Sequence, residues 1–155
     1  MLQLILRFSH VFFGALWVGM MVMNTFFVGP AVEEAGPDGG KVMAGLMRRR
    51  VVTLMPLFAL ITLVSGFWLF SRFGKGFMAS GMGKTFALGG AVALLAFVIG
   101  MAAARPAMIR AQKLAQAGGE MQEVQRLRAR ANSLGRVVGW LLMLALAAMA
   151  IARYV

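Results

Sequence analysis

Residues 2–29 read LQLILRFSHVFFGALWVGMMVMNTFFVG, and this stretch decides the fold. It can cross the roughly 30 Å hydrocarbon core of a bilayer, which takes about 20 apolar residues in a helix. At about 100° per residue, Gln3, Arg7, His10, Gly14, Trp17, Met21 and Asn24 fall in one strip roughly 100° wide. Ionisable and amide groups are costly at membrane depth, so the strip is expected to face a bundle interior and to mark a site. Arg7 before an apolar run also resembles a signal peptide. The run continues to Gly29 without a small-x-small cleavage signal, and the reading is an uncleaved helix.

The rest of the chain agrees. Of 155 residues, 61% are hydrophobic and 14% charged, too apolar a balance for a soluble domain of this length. Four segments reach spanning length, at about 4–29, 51–70, 85–104 and 137–152. The expected architecture is an all-α membrane protein, a single four-transmembrane-helix bundle over 1–155 with the lipid bilayer as its first partner. No internal repeat is visible. The absence of cysteine excludes disulfides, thiolate zinc or iron–sulfur sites and covalent c-type haem attachment.

Basic residues set the expected orientation. Lys41, Arg48, Arg49 and Arg50 lie between the first and second spans. Arg105, Arg110, Lys113, Arg126, Arg128, Arg130 and Arg136 lie between the third and fourth, so these two connections hold 11 of the 16 Lys and Arg. The positive-inside rule predicts both connections in the cytoplasm and both termini in the periplasm, in a bacterial inner membrane, with His10 toward the outer leaflet. The net charge of +11 then reads as topology and attraction to anionic lipid. It is not a nucleic-acid surface, because the basic residues track membrane boundaries and carry no aromatic stacking platform.

Helix ends predict cytoplasmic extensions of helices two, three and four. Gly36-Pro37-Asp38-Gly39-Gly40 is a turn cluster with Asp38 as a candidate N-cap, so helix two is expected to begin near Lys41 and run past Pro56 with a kink. Helix three is expected to reach Ala117 with a kink at Arg105-Pro106, and Gly118-Gly119 breaks it before helix four starts near Glu120. Gly89, Ala93, Ala96, Gly100 and Ala104 recur at three- and four-residue spacing, which lets a neighbouring backbone approach closely within the chain or across a homo-oligomer. Gly83-Lys84-Thr85 looks like the end of a phosphate-binding loop, but Met78 stands where that motif needs glycine, and a helix replaces the preceding strand. Fourteen methionines raise soft-metal binding, yet Met20, Met21 and Met23 point in different helical directions, as packing residues do.

His10 has two readings: a cofactor ligand, or a buried imidazole hydrogen-bonded to a neighbouring helix. Gly14, one turn away, removes side-chain bulk as either a flat macrocycle or a close helix requires, and Trp17 lies beneath. A buried b-type haem takes a second ligand or an open distal side. Lys84 enters the membrane from the same side as His10, and either ligates as a neutral amine or snorkels to the headgroups. The candidate cofactor-binding set is His10, Lys84, Gly14, Trp17, Arg7 and Asn24, with His10 and Lys84 as candidate metal ligands.

Arg7-Phe8-Ser9-His10, Trp17-Val18-Gly19, Asn24 and Pro30, followed by Met47-Arg48-Arg49-Arg50 and Thr62-Leu63-Val64-Ser65-Gly66-Phe67-Trp68-Leu69, resemble small four-helix membrane proteins of the HemJ and CopD-like groups. The resemblance covers the first half of the chain. HemJ membership implies protoporphyrinogen IX oxidation with b-type haem held by a first-helix His and a third-helix Lys, positions that His10 and, approximately, Lys84 match. CopD-like membership implies copper handling. The Gly/Ala-rich third helix, the absence of a second His near its end and the lack of an Asn-Glu-x-Pro sequence in helix four depart from the HemJ pattern.

Two function classes follow. One is a haem-binding oxidoreductase or electron-transfer protein that meets a porphyrin or quinone, with haem supplying the redox chemistry. The other is a non-catalytic membrane module, a metal-handling accessory or a subunit of a larger membrane complex. A transporter is a third, weakened because the polar strip is confined to one helix with no discontinuous helix pair.

Overall fold

The computed structural model describes residues 1–155, apart from the side chains of Pro37 and Val52. The described chain is helical throughout, with α1 (Leu2–Met23), α2 (Gly29–Glu34), α3 (Gly39–Arg48), α4 (Val51–Ser71), α5 (Lys75–Ala79), α6 (Gly81–Ile99), α7 (Arg105–Gln116) and α8 (Met121–Ile151). Four continuous helical stretches are long and apolar enough to cross a membrane: Leu2–Glu34, Thr53–Ser71, Gly81–Gln116 and Met121–Tyr154. The protein is therefore a multi-pass membrane protein built from four apolar helices. Many large apolar side chains point outward, among them Phe8, Val11, Phe67, Leu88, Trp140 and Leu144, as expected where lipid is the solvent.

The first and third spanning helices share one local irregularity. A five-residue π-helical turn, Asn24–Val28, joins α1 to α2, and a second, Gly100–Ala104, joins α6 to α7. Each is followed at the second position by a proline, Pro30 or Pro106. A proline ring inside a helix clashes with the carbonyl four residues back and offers no N–H. Here the preceding turn widens, so that the Gly29 amide donates to the Asn24 carbonyl and the Arg105 amide to the Gly100 carbonyl, five residues back. The expected kink at Arg105-Pro106 takes this form. Pro56 lies inside α4 of the second spanning helix, which continues through it.

Helix two does not run unbroken from Lys41. α3 ends at Arg48, and Arg50 adopts a left-handed conformation (φ 58°, ψ 22°) before α4 begins. The reversal makes α3 a separate amphipathic helix. Asp38 does hold the N-cap position of α3, but its carboxylate pairs with Lys41 Nζ at 2.7 Å and caps no backbone amide. Gly118, with φ 68°, ends the third helical stretch, and α8 starts at Met121, as expected from the glycine pair.

Helices one and two pack antiparallel. Phe13 meets Phe58 with ring centroids 5.5 Å apart, and Gly14 lies against Thr62. Helices three and four pair through Gly89, where a Cβ would stand 3.3 Å from the Ala145 carbonyl oxygen and 3.4 Å from Ala148 Cβ. The small-residue stripe therefore acts within the chain at Gly89 and Ala96, both buried. Across the bundle Trp17 meets Phe97 edge to face at 6.4 Å. Trp17, Ala59, Ala96, Val138 and Leu142 form the core. The bundle thus has one end carrying both chain termini and a second, arginine-rich end carrying α3 and the α7–α8 connection.

Candidate functional site

His10 sits on α1 against α4. Its Nδ1 lies 2.8 Å from the Thr62 carbonyl oxygen. A carbonyl only accepts, so in the neutral ring Nδ1 carries the proton and Nε2 keeps the free lone pair. Among the described residues no hydrogen bond reaches Nε2. Thr62 is itself fixed by its hydroxyl donating to the Phe58 carbonyl at 2.7 Å, and Ser65 donates to the carbonyls of Ile61 (2.6 Å) and Thr62 (3.1 Å). Gly66 makes room for the ring, since a Cβ there would come within 2.5 Å of His10 Cε1.

The polar strip divides along the first helix. Trp17 is buried, and His10, Gly14, Met21 and Asn24 are half-buried, but Gln3 and Arg7 are exposed. The reason is register. His10 faces Thr62 and Gly66, so Arg7 lies level with the last turn of α4 and Gln3 beyond its end at Ser71. Lys84 is exposed in the first turn of α6. Its glycine neighbours serve the turn: Ser80 caps α6 by accepting from the Gly83 amide at 3.1 Å, and the Phe77 carbonyl lies hard against Gly83. Counting from the Trp17–Phe97 contact, His10 is seven residues outward and Lys84 thirteen, which places the lysine backbone roughly 9 Å beyond the imidazole.

A cavity of about 200 Å³ lies on the other side of Trp17, toward the arginine-rich end. It includes Trp17, Met21 and Asn24 of the strip and excludes His10, Gly14, Arg7 and Lys84. All four spanning helices and α3 contribute to its wall. Both π-helical turns border it, through Asn24 and Thr25 in one and Gly100, Met101 and Ala104 in the other, and Pro30 and Pro56 line it as well. Met21, Met43, Met47, Met55, Met101 and Met108 supply a soft apolar lining. Its ionisable members are Glu33, Arg105 and Arg136. Glu33 bonds the Asn132 side-chain amide and so ties the first helical stretch to the fourth. Arg105 Nε is buried without a hydrogen-bond partner among the described residues.

Sequence reasoning assigned Arg105 and Arg136 to topology and the methionines to packing, and so missed this site. The methionines come from the first, second and third spanning stretches and from α3, and no single helical periodicity connects them all. The available signal was the prolines: Pro30, Pro56 and Pro106 fall in three different spans, all toward the arginine-rich end. Comparison with protein-family models, curated proteins and solved structures finds no match in any of the three.

Proposed function

We propose that the protein is a membrane-embedded binding protein whose site is the cavity between Trp17 and Arg105. The observation that carries this reading is the coincidence of two proline-linked π-helical turns and a third intrahelical proline, Pro56, at one cavity. A bundle made only to span a bilayer gains nothing from gathering two π-helical turns and a third intrahelical proline around one cavity, whereas π-turns recur at functional sites. The wall is apolar with a few convergent polar groups, the usual make-up of a small-molecule site. By the positive-inside rule the distribution of Lys and Arg supports a reading in which this end, with the helical extensions α3 and α7, lies in the cytoplasm and both termini in the periplasm of an inner membrane.

The test uses a single-tryptophan protein, with Trp68 and Trp140 replaced by Phe, in phosphatidylcholine nanodiscs. A brominated eight-carbon alcohol should quench Trp17 saturably, and Ala104→Phe, which fills the wall, should abolish the saturable phase. Linear, non-saturating quenching in the unfilled protein would overturn the reading.

A second reading, that His10 ligates b-type haem iron in a redox protein, is favoured by the Nδ1 bond to Thr62. That bond orients the ring and leaves Nε2 as the ligating atom, as outer-shell partners of ligating histidines do. The fit is partial: one imidazole is ready, while Lys84 stands exposed and further out and the cavity does not reach His10. A Soret band from haem-replete cells that is lost in His10→Ala would support it. A colourless folded protein would leave His10 as an interhelical hydrogen bond.

A further inference from the structure

We propose that the ligand of this cavity is an anionic amphiphile, a carboxylate or phosphate head held by Arg105 and Arg136 with an apolar tail directed at Trp17. The inference rests on the cavity reading above and adds the ligand's charge and orientation.

Arg105 Nε is buried and unpartnered. A guanidinium stays charged in any protein environment and carries five donors and no acceptor. Leaving such a donor unfilled away from water is costly, more so on a cation than on a neutral group. The carboxylate on the wall does not fill it: Glu33 accepts from Asn132 through Oε1, and among the described residues it makes no ion pair with Arg105. Arg136, an exposed member of the wall, adds a second permanent cation, so the wall carries two guanidiniums and one carboxylate. Arginine is suited to this task because its planar fork matches carboxylate and phosphate oxygens.

The opposite end of the cavity has the contrary character. Trp17, Ala59, Ala96 and Phe97 close it and carry no charge. Eight residues separate Phe97 from Arg105, so the Arg105 backbone lies roughly 12 Å along the helix from the residue that meets the indole. An extended chain of about eight carbons spans a comparable length, and the wall between Trp17 and Arg105 is largely apolar. That suits one medium-length chain or a single ring system. A lipid phosphate presents an anionic head of the same kind as a free carboxylate.

The experiment compares bromo-octanoate with bromo-octanol, each halogenated at the end far from its head group, in the single-tryptophan protein in phosphatidylcholine nanodiscs. The carboxylate should quench Trp17 saturably and bind about tenfold or more tighter than the alcohol, a ratio in line with a hydrogen bond to a charged group. Arg105→Gln should bring that ratio close to one, and Arg105→Lys should keep part of it. Equal affinity for acid and alcohol in the unsubstituted protein would overturn the anionic ligand while leaving the cavity reading intact. Saturable quenching by neither would overturn both. If Arg105→Gln fails to fold, the acid-to-alcohol ratio of the unsubstituted protein still decides. Displacement of bromo-octanoate by dihexanoyl phosphatidic acid would support the proposal with a lipid head group as the source, and tight acid binding without displacement would support it with a free carboxylate.

Discussion

His10 and Gly66 fit each other as ring and gap: a Cβ on Gly66 would stand 2.5 Å from His10 Cε1 and 2.7 Å from Nδ1. The imidazole can reach the Thr62 carbonyl only because helix two has no side chain at that position. Both readings of His10, ligand and packing bond, depend on this gap.

Gly66→Ala should therefore push the ring off Thr62 and destabilise the protein by about 1–3 kcal/mol, the range for inserting an atom into a packed site. Thermal unfolding in a neutral detergent measures the loss. A double-mutant cycle locates it: in a His10→Ala background the same substitution should cost little, since the clash and the bond are both gone. An equal penalty in both backgrounds would show that Gly66 matters for a reason other than His10.

Much of this arrangement was legible in residues 2–29. The strip from His10 to Asn24 does turn inward, against helix two and the bundle core. Gln3 and Arg7 belong to the same strip by angle, but angle carries no information about where the neighbouring helix stops. The helix break at Arg50 was hidden for a related reason. Met47-Arg48-Arg49-Arg50 contains no glycine or proline, and a left-handed arginine leaves no mark in composition. The cavity was hidden most completely, since its wall is assembled from five segments that only tertiary packing unites.

Arg50 yields the second prediction. A left-handed conformation costs a non-glycine residue roughly 1–2 kcal/mol, and glycine adopts it freely. Arg50→Gly should raise the thermal unfolding midpoint, or hold it level where the glycine's greater unfolded-state freedom offsets the gain. Arg50→Val, whose branched side chain tolerates this region poorly, should lower it clearly. A midpoint for the valine variant at or above the glycine variant would mean that the turn is remodelled rather than strained.

Topology gives the third. Lys and Arg cluster at the end bearing α3 and α7, opposite the chain termini, and the positive-inside rule turns that asymmetry into an orientation. A C-terminal alkaline phosphatase fusion should be active and a C-terminal GFP fusion dark. The reverse pattern would place the arginine-lined cavity mouth in the periplasm and His10 toward the inner leaflet.

The fourth contrasts two neighbouring glycines. On α6, Gly89 is buried against helix four, where a Cβ would already stand 3.3 Å from the Ala145 carbonyl oxygen and from Met149 Cε. A Cβ on Gly90 meets nothing within 4 Å. A leucine at 89 has to push the two helices apart and should cost about 1–3 kcal/mol or more, because backbone and Ala148 line the contact and neither can swing away. At 90 the same side chain enters open space and replaces the least helix-favouring residue after proline, a change worth roughly 0.5–1 kcal/mol in the stabilising direction. Thermal unfolding of Gly89→Leu and Gly90→Leu should therefore move the midpoint in opposite directions. If the two variants behave alike, helix three does not meet helix four through Gly89, and the small-residue stripe serves a contact between copies of the chain instead.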